Sequence, residues 1–444
     1  MKFGQSHKIG APGCHLDNRT ITHFGIKDKP QIRTHDRLSE YTVTKAAPGS
    51  GFIRGGNSHP SFFYGQESAR RGLRVCKMRK GCAGVKRILA VCVMILMLVA
   101  IVAGCGGCGG DGESGGSGAD RDRSIVIRVG YFPNLTHAQA IIGAARGDFA
   151  AAASASTLSD NIKIEFTVFN AGPSAVEALL AKAIDLIYVG PNPSVNGFIR
   201  SQGRALQVIA GCCSGGAVMV VRPESGIIDA ASLKGKHLAT PQLGNTQDVA
   251  LRHYLAANGL KTTEQGGSVR LTPIANPDIL ALFRRQEIDG AWVPEPWGAR
   301  LVIEGGGQIF IDETDHWPGG QFCTALIAVN REFADQHPDL VKVWLTAHVD
   351  LTLWIRENPA AAKAIVNSEI ARLTGKELPQ DVLDSAFERL TVTYDPLPDT
   401  LDAMAQRAYE MGFLGDAPPN LTNFCNLKIL NEILRERGLS PIGP

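Results

Sequence analysis

From residue 124 onward, short apolar runs of strand character alternate with segments whose apolar residues recur at helical spacing. Residues 124–131 read as a buried strand that enters Phe132-Pro133-Asn134-Leu135-Thr136. A helix through Phe149 follows, with Thr136 and Gln139 placed as a capping box. Residues 162–169 are a second strand. Asn170-Ala171-Gly172-Pro173 then turns the chain, and Ser174 with Glu177 caps a helix. Residues 184–189 are a third strand, ending in Gly190-Pro191-Asn192-Pro193-Ser194. Strand–helix alternation at this spacing predicts right-handed βαβ units on a parallel sheet.

The order then repeats. Residues 237–240 form a short strand, with Pro241-Gln242-Leu243-Gly244-Asn245-Thr246 as its loop. Asn245 and Asp248 supply an N-cap and a first-turn acid for a helix that runs to Asn258, where Gly259 stops it. Residues 269–273 are a strand, Asn276 and Pro277 open the next helix, and residues 288–293 are a strand ending at Pro294-Glu295-Pro296-Trp297. Past a strand at 323–329, everything beyond Asp339 is helix-patterned, over 340–355, 359–373, 381–390, 401–411 and 427–437. Two similar α/β units predict two lobes. The helical tail needs a sheet to cover, which makes the second lobe, 216–322, an insertion in a first lobe built from 124–215 and 323–444. The chain is expected to leave at Ser214-Gly215-Gly216-Ala217 and return at 322–325. Two crossing strands would then hinge the lobes about a cleft.

Composition adds an address label. Hydrophobic residues make up 44% of the 444 and charged residues 20%, which excludes a wholly disordered chain and a polytopic membrane protein. The net charge of +2 hides an asymmetry: residues 1–104 carry 17 Lys+Arg against 5 Asp+Glu, the remainder 28 against 38. An acidic body argues against a duplex-gripping surface, so no nucleic-acid partner is expected. Residues 1–77 show no sustained period and read as a disordered leader, or as a reading frame begun upstream of the true start. At 78–104, Met78-Arg79-Lys80 and Lys86-Arg87 precede an apolar run over 88–103, and Val102-Ala103-Gly104-Cys105 follows. A basic start, an apolar run and small residues describe a secretory signal. Cys105 directly after the small pair resembles a bacterial lipobox, in which it is lipidated and becomes the first mature residue. The competing reading is an uncleaved membrane anchor, for which the run is short. The Gly/Ser/Asp-rich stretch at 105–123 is a flexible tether. Cys212, Cys213, Cys323 and Cys425 show no disulfide framework, and the adjacent pair reads as small buried residues.

In parallel α/β sheets, ligands bind outside the carboxyl ends of the strands, where helix N-termini present free N–H groups. The helix starts at Asn134/Thr136, Pro173/Ser174 and Asn245/Thr246/Gln247 carry small neutral polar residues, and residues 190–194 add a proline-stiffened loop. These loops hold no Lys or Arg. Converged on one cleft, they would make an anion site from backbone donors and hydroxyls, suited to a small oxyanion rather than a polyphosphate. Phe132, Trp292 and Trp297 are candidates for an apolar wall. Glu295 either ties the hinge to an Arg or faces the ligand, where it is the one candidate carboxylate for an amine. His137 stands between surface and pocket. No Ser/His/Asp or His/Cys constellation has a supporting spacing, so neither an enzyme nor a cofactor or metal is expected.

Together these stretches resemble the solute-binding proteins of ABC importers in the nitrate/sulfonate/taurine group, closest in appearance to the aliphatic-sulfonate members. The resemblance is carried by Val129-Gly130-Tyr131-Phe132-Pro133-Asn134-Leu135-Thr136-His137, Asn170-Ala171-Gly172-Pro173-Ser174, Asp185-Leu186-Ile187-Tyr188-Val189-Gly190-Pro191, Thr240-Pro241-Gln242-Leu243-Gly244-Asn245-Thr246-Gln247-Asp248 and Trp292-Val293-Pro294-Glu295-Pro296-Trp297. It implies a type II periplasmic-binding-protein fold and capture of a small anion, such as an aliphatic sulfonate or taurine. It further implies delivery to an ABC permease driven by a cytoplasmic ATPase; with the lipobox at Cys105, a lipid-anchored monomer in the periplasm or at the cell surface is expected. It also implies pocket roles for Asn134, Leu135, Thr136, His137, Gly190, Pro191, Asn192, Ser214, Gly215, Gly216, Asn245, Thr246, Gln247 and Glu295. Nitrate, bicarbonate and pyrimidine precursors are other ligands of the group, and a sensory binding protein on the same fold is the other role.

Overall fold

The computed structural model describes residues 125–156, 158 and 162–443. The leader at 1–77, the signal at 78–104, the lipidation candidate Cys105 and the tether at 105–123 lie outside the described residues.

β1 (Ile125–Tyr131) leads through a 3₁₀ turn at Leu135–His137 into α1 (Ala138–Arg146). The single helix read from the sequence is two. Gly147, at φ 76°, takes a left-handed position that stops α1, and Asp148 opens α2 (Asp148–Ala155). The capping box at Thr136 does not form. Gln139 is fully buried instead, and its Nε2 donates to the Cys212 carbonyl at 2.9 Å and to the Thr352 hydroxyl at 3.2 Å. There follow β2 (Ile162–Val168), α3 (Gly172–Leu180), β3 (Leu186–Val189), α4 (Pro191–Arg200) and β4 (Leu206–Gly215). α3 begins two residues before Ser174, whose hydroxyl donates back to the Ala171 carbonyl at the surface rather than capping the helix.

A second sheet is built from β5 (Ala217–Val221), β6 (His237–Thr240), α5 (Thr246–Ala257), β7 (Arg270–Pro273), α6 (Asn276–Arg284), β8 (Gly290–Pro294), α7 (Trp297–Ile303) and β9 (Gln308–Asp312). The chain returns to the first sheet with β10 (Cys323–Asn330). It ends in α8 (Arg331–Gln336), α9 (Pro338–Glu357), α10 (Pro359–Thr374), α11 (Gln380–Glu388), β11 (Leu390–Val392), α12 (Pro398–Glu410) and α13 (Lys428–Glu436).

The first sheet has the order β11-β4-β10-β3-β1-β2 and the second β7-β6-β8-β5-β9. Each is mixed, where the strand spacing predicted parallel pairing throughout. β1 pairs parallel with β2 and β3, and β6 with β7 and β8. The strand that enters each sheet from the other one, β10 or β5, runs antiparallel to its neighbours. Both faces of the first sheet are covered. Tyr131, Ile141, Trp344 and Val349 pack on one side, Val176, Leu179, Ile187 and Phe198 on the other. Trp344 lies flat on Phe149 with ring centroids 3.7 Å apart, so α9 is keyed to α2 by stacking as well as by burial. This double cover fixes the strand ends, and with them the loops that matter below.

Candidate binding cleft

The carboxyl ends of all six strands in parallel pairs point to one place. The loops after β1, β2 and β3 meet those after β6, β7 and β8 around a small cavity of about 30 Å³. Phe132, Asn134, Thr136, His137, Gly190, Asn245, Thr246 and Gln247, all singled out from the sequence, line it. Asn276 and Thr324 line it too, as do residues 170–172, and none of these was named as a site residue. Among the described residues no Lys, Arg, Asp or Glu lines this cavity.

Its polarity comes from neutral groups. Asn245 caps α5, accepting the Asp248 amide at 2.8 Å on Oδ1. Asp248 turns back beneath the loop, where its carboxylate accepts from the Thr240 hydroxyl and the Gly244 amide, each at 2.9 Å. That leaves the Thr246 and Gln247 amides as first-turn donors with no intrahelical acceptor. The Thr246 hydroxyl and Asn276 Oδ1 are buried without a protein partner, a costly state for polar atoms unless something in the cavity meets them. His137 is fixed from behind. Its Nδ1 accepts the Phe132 amide at 3.3 Å, and the two rings stack at 4.5 Å. Burial pushes its pKa down to about 3, so the ring is neutral and its proton sits on Nε2 as a further donor.

The other expected site residues hold the cleft together rather than line the cavity. Leu135 is core, Pro191 is the first residue of α4, and Asn192 Nδ2 donates to the Met404 carbonyl at 3.3 Å. Ser214, Gly215 and Gly216 form the outward crossing. The Ser214 hydroxyl accepts the Phe322 amide at 3.3 Å, the Gly215 carbonyl accepts the Thr324 hydroxyl, and the Gly216 amide donates to the Arg389 carbonyl at 2.8 Å. Gly215 and Gly216 both sit at φ 71°, which a side chain would strain. Glu295 is wholly buried and points away from the cavity: Arg389 Nη1 donates to Oε1 at 3.1 Å, and the Ala299 amide to Oε2 at 2.9 Å. It ties the second lobe to the first, because the strand-end turn that carries it faces the C-cap of α11. Trp297 does the same at the cleft edge, its indole N–H donating to Asn134 Oδ1 at 3.1 Å. Trp292 is core beneath the second sheet.

The return crossing holds a second buried carboxylate. Glu313 accepts the Trp292 indole N–H at 2.8 Å and that of Trp317 at 3.4 Å. Burial pushes its pKa from 4.5 to about 7, against those two donors and Arg407. The folded state therefore favours the protonated form. Its contribution to stability is complete below pH 4.5 and is lost as pH rises through about 7. Glu313→Gln, which cannot ionise, should gain on the wild type by on the order of 3 kcal/mol between pH 5 and pH 8. Urea unfolding at both pH values reads this difference, and an equal offset at the two would reject it.

The profile of the NMT1-like family matches residues 122–370. The taurine-binding periplasmic protein of Escherichia coli (strain K12) is 26% identical over 217 residues, covering 48% of this chain and 64% of that protein. The chain thus spans less than two thirds of that relative's length. Among solved structures, the alkanesulfonate-binding protein SsuA from Xanthomonas axonopodis pv. citri, bound to MOPS, superposes with a TM-score of 0.55 at 19% identity, over 66% of this chain and 95% of that one. The periplasmic aliphatic sulphonate binding protein SsuA from Escherichia coli gives 0.54 at 22% identity, over 68% and 97%.

Proposed function

Because the chain belongs to the NMT1-like family and has the two-lobed fold of the periplasmic binding proteins, we propose that it is the extracytoplasmic solute-binding protein of an ABC importer. Its cleft captures a small organic anion, an aliphatic sulfonate before taurine, and hands it to a permease powered by a cytoplasmic ATPase. The observation that carries this reading is an uncharged cavity at six strand ends, where the Thr246 hydroxyl is buried without a partner and the first amides of α5 have no intrahelical acceptor. A singly charged oxyanion supplies those acceptors. Taurine ranks second because Glu295, the carboxylate that would meet its ammonium, is held at the hinge by Arg389. The lipobox at Cys105 would anchor the mature protein at the membrane, with residues 106–123 as its tether.

Calorimetric titration with ethanesulfonate, taurine, nitrate and bicarbonate tests the reading. Ethanesulfonate should bind at micromolar to submillimolar concentration, without turnover, and at least as tightly as taurine. Its affinity should be flat between pH 5.5 and 8, since His137, with its pKa at about 3, carries no charge there. Nitrate is the inorganic alternative, favoured by the small volume of the cavity. A panel in which nothing binds below about millimolar removes the anion claim.

A further inference from the structure

Away from the cavity, α12 packs both on α4 of its own lobe and on α5 of the other. These are the two helices whose starts, at Gly190 and at Asn245–Gln247, line the cavity. Within the first lobe the join is made by amide side chains. Asn192 Nδ2 donates to the Met404 carbonyl at 3.3 Å, and Asn196 Nδ2 to the Phe413 carbonyl at 3.0 Å. Phe413 is aimed by the end of its helix. Gly412 takes a left-handed position at φ 80°, its amide donates to the Tyr409 carbonyl, and the Phe413 amide donates to the Ala408 carbonyl, both at 2.9 Å. That paired closure of the last turn fixes the residue after the glycine.

The Phe413 ring then reaches the second lobe. A β-carbon added at Gly244 would lie 3.4 Å from it, so the ring rests on the loop after β6. The Arg252 guanidinium lies over the ring, its carbon 5.9 Å from the centre. Arg252 Nη2 is buried without a hydrogen-bond partner among the described residues, which leaves the negative face of the ring to compensate it. Arg252 Nε donates to Asp248 at 3.1 Å, and Asp248 accepts the Gly244 amide and donates its own to Asn245. One ring of the first lobe thus presses on two members of the network that shapes the anion-binding turn of the second. His253 and Glu410 add an ion contact at 3.7 Å, too exposed to hold the lobes alone. Phe413 does not line the cavity, and its contacts with Gly244 and Arg252 exist only while the lobes are together. Their free energy therefore belongs to the closed state. Resting on the reading of the cleft as an anion site, we propose that Phe413 is a positioning residue for capture: on closure it seats on Gly244 and Arg252, holds the first turn of α5 against the anion, and sets how long the ligand stays.

Stopped-flow mixing of the intact protein with ethanesulfonate tests this. Tryptophan fluorescence provides the signal, because the Trp297 indole bonds Asn134 across the lobes. Phe413→Ala should raise the dissociation rate about tenfold, the yield of a partly buried ring, and leave the association rate within about twofold. Phe413→Leu keeps the apolar bulk that folding needs but loses the ring face over Arg252, so its dissociation should be about threefold faster than wild type. Phe413→Tyr keeps that face and should dissociate at the wild-type rate. An unchanged dissociation rate in Phe413→Ala, with or without a lower unfolding midpoint, overturns the proposal and leaves anion capture standing. A loss carried by association alone also overturns it, because the residue would then act on the open form. Equal rates in Phe413→Ala and Phe413→Tyr overturn it too, since the ring would not be what holds α5. Failure of the wild type to bind ethanesulfonate, taurine, nitrate or bicarbonate overturns both readings together.

Discussion

Replacement of Arg389 by Met should destabilise the protein by about 1.4 kcal/mol more at pH 8 than at pH 5, the most that ionisation of a carboxyl at about 7 can supply there. The guanidinium is about one fifth exposed, but its partner Glu295 is not exposed at all. Burial pushes the Glu295 carboxyl up to about 7 even with Arg389 in place, so the group is charged at pH 8 and largely neutral at pH 5. Without Arg389 the only remaining donor to that carboxylate among the described residues is the Ala299 amide. An unpaired buried charge is among the costliest defects a core can hold, whereas a neutral carboxyl there costs little. The double variant Arg389→Met with Glu295→Gln should return to within about 1 kcal/mol of wild type at pH 8, since it removes both partners. Urea unfolding of the wild type, the two single variants and the double variant at both pH values completes the cycle. A loss in Arg389→Met that is the same at pH 5 and pH 8 would show that the pair is not what the arginine provides. Arg389 also gives its carbonyl to the Gly216 amide, a backbone contact that the substitution leaves intact.

What the sequence revealed about this molecule was local, and what it concealed was pairing at a distance. Asn134–His137 and Asn245–Gln247 could be placed at helix starts because N-caps and Gly/Pro punctuation act within a few residues. Asn276 had the same signature as Asn245, an Asn opening a helix after a strand of the second unit, and applying the repeat strictly would have found it. Thr324 had no such signal. It lies inside an apolar strand, and only the return of β10 beside β4 brings it to the cleft. Glu295 and Arg389 are 94 residues apart, so nothing near Glu295 could decide between hinge and ligand. β4 and β5 are buried at every position, which removes the polar–apolar alternation that marks a half-exposed strand. The mixed sheets follow from the same fact: β10 and β5 are strands that arrive from the other lobe, and chain order alone does not give their direction.

The cleft itself yields the sharpest binding test, at Gly190. This residue lies in the first lobe at the end of β3, with φ −68°, so an alanine is unstrained there. A methyl group on it would meet the Thr246 hydroxyl of the second lobe at 2.5 Å, closer than atoms pack. Either the hydroxyl swings into the cavity or the lobes part, and each removes part of the anion's cradle. Gly190→Ala should therefore weaken ethanesulfonate binding by about 1–3 kcal/mol, roughly fivefold to 150-fold. The unfolding midpoint of the ligand-free protein should change little, because open lobes feel no clash. Thr246→Ala alone should cost about 1–3 kcal/mol through loss of the buried hydroxyl bond. In the double variant the clash is gone, for the Thr246 β-carbon is 3.6 Å from the added methyl. Its affinity should thus equal that of Thr246→Ala rather than the sum of the two losses. Additive losses would mean that Gly190 and Thr246 do not meet when the ligand is bound, and the two lobes would then not close on an anion in the way described.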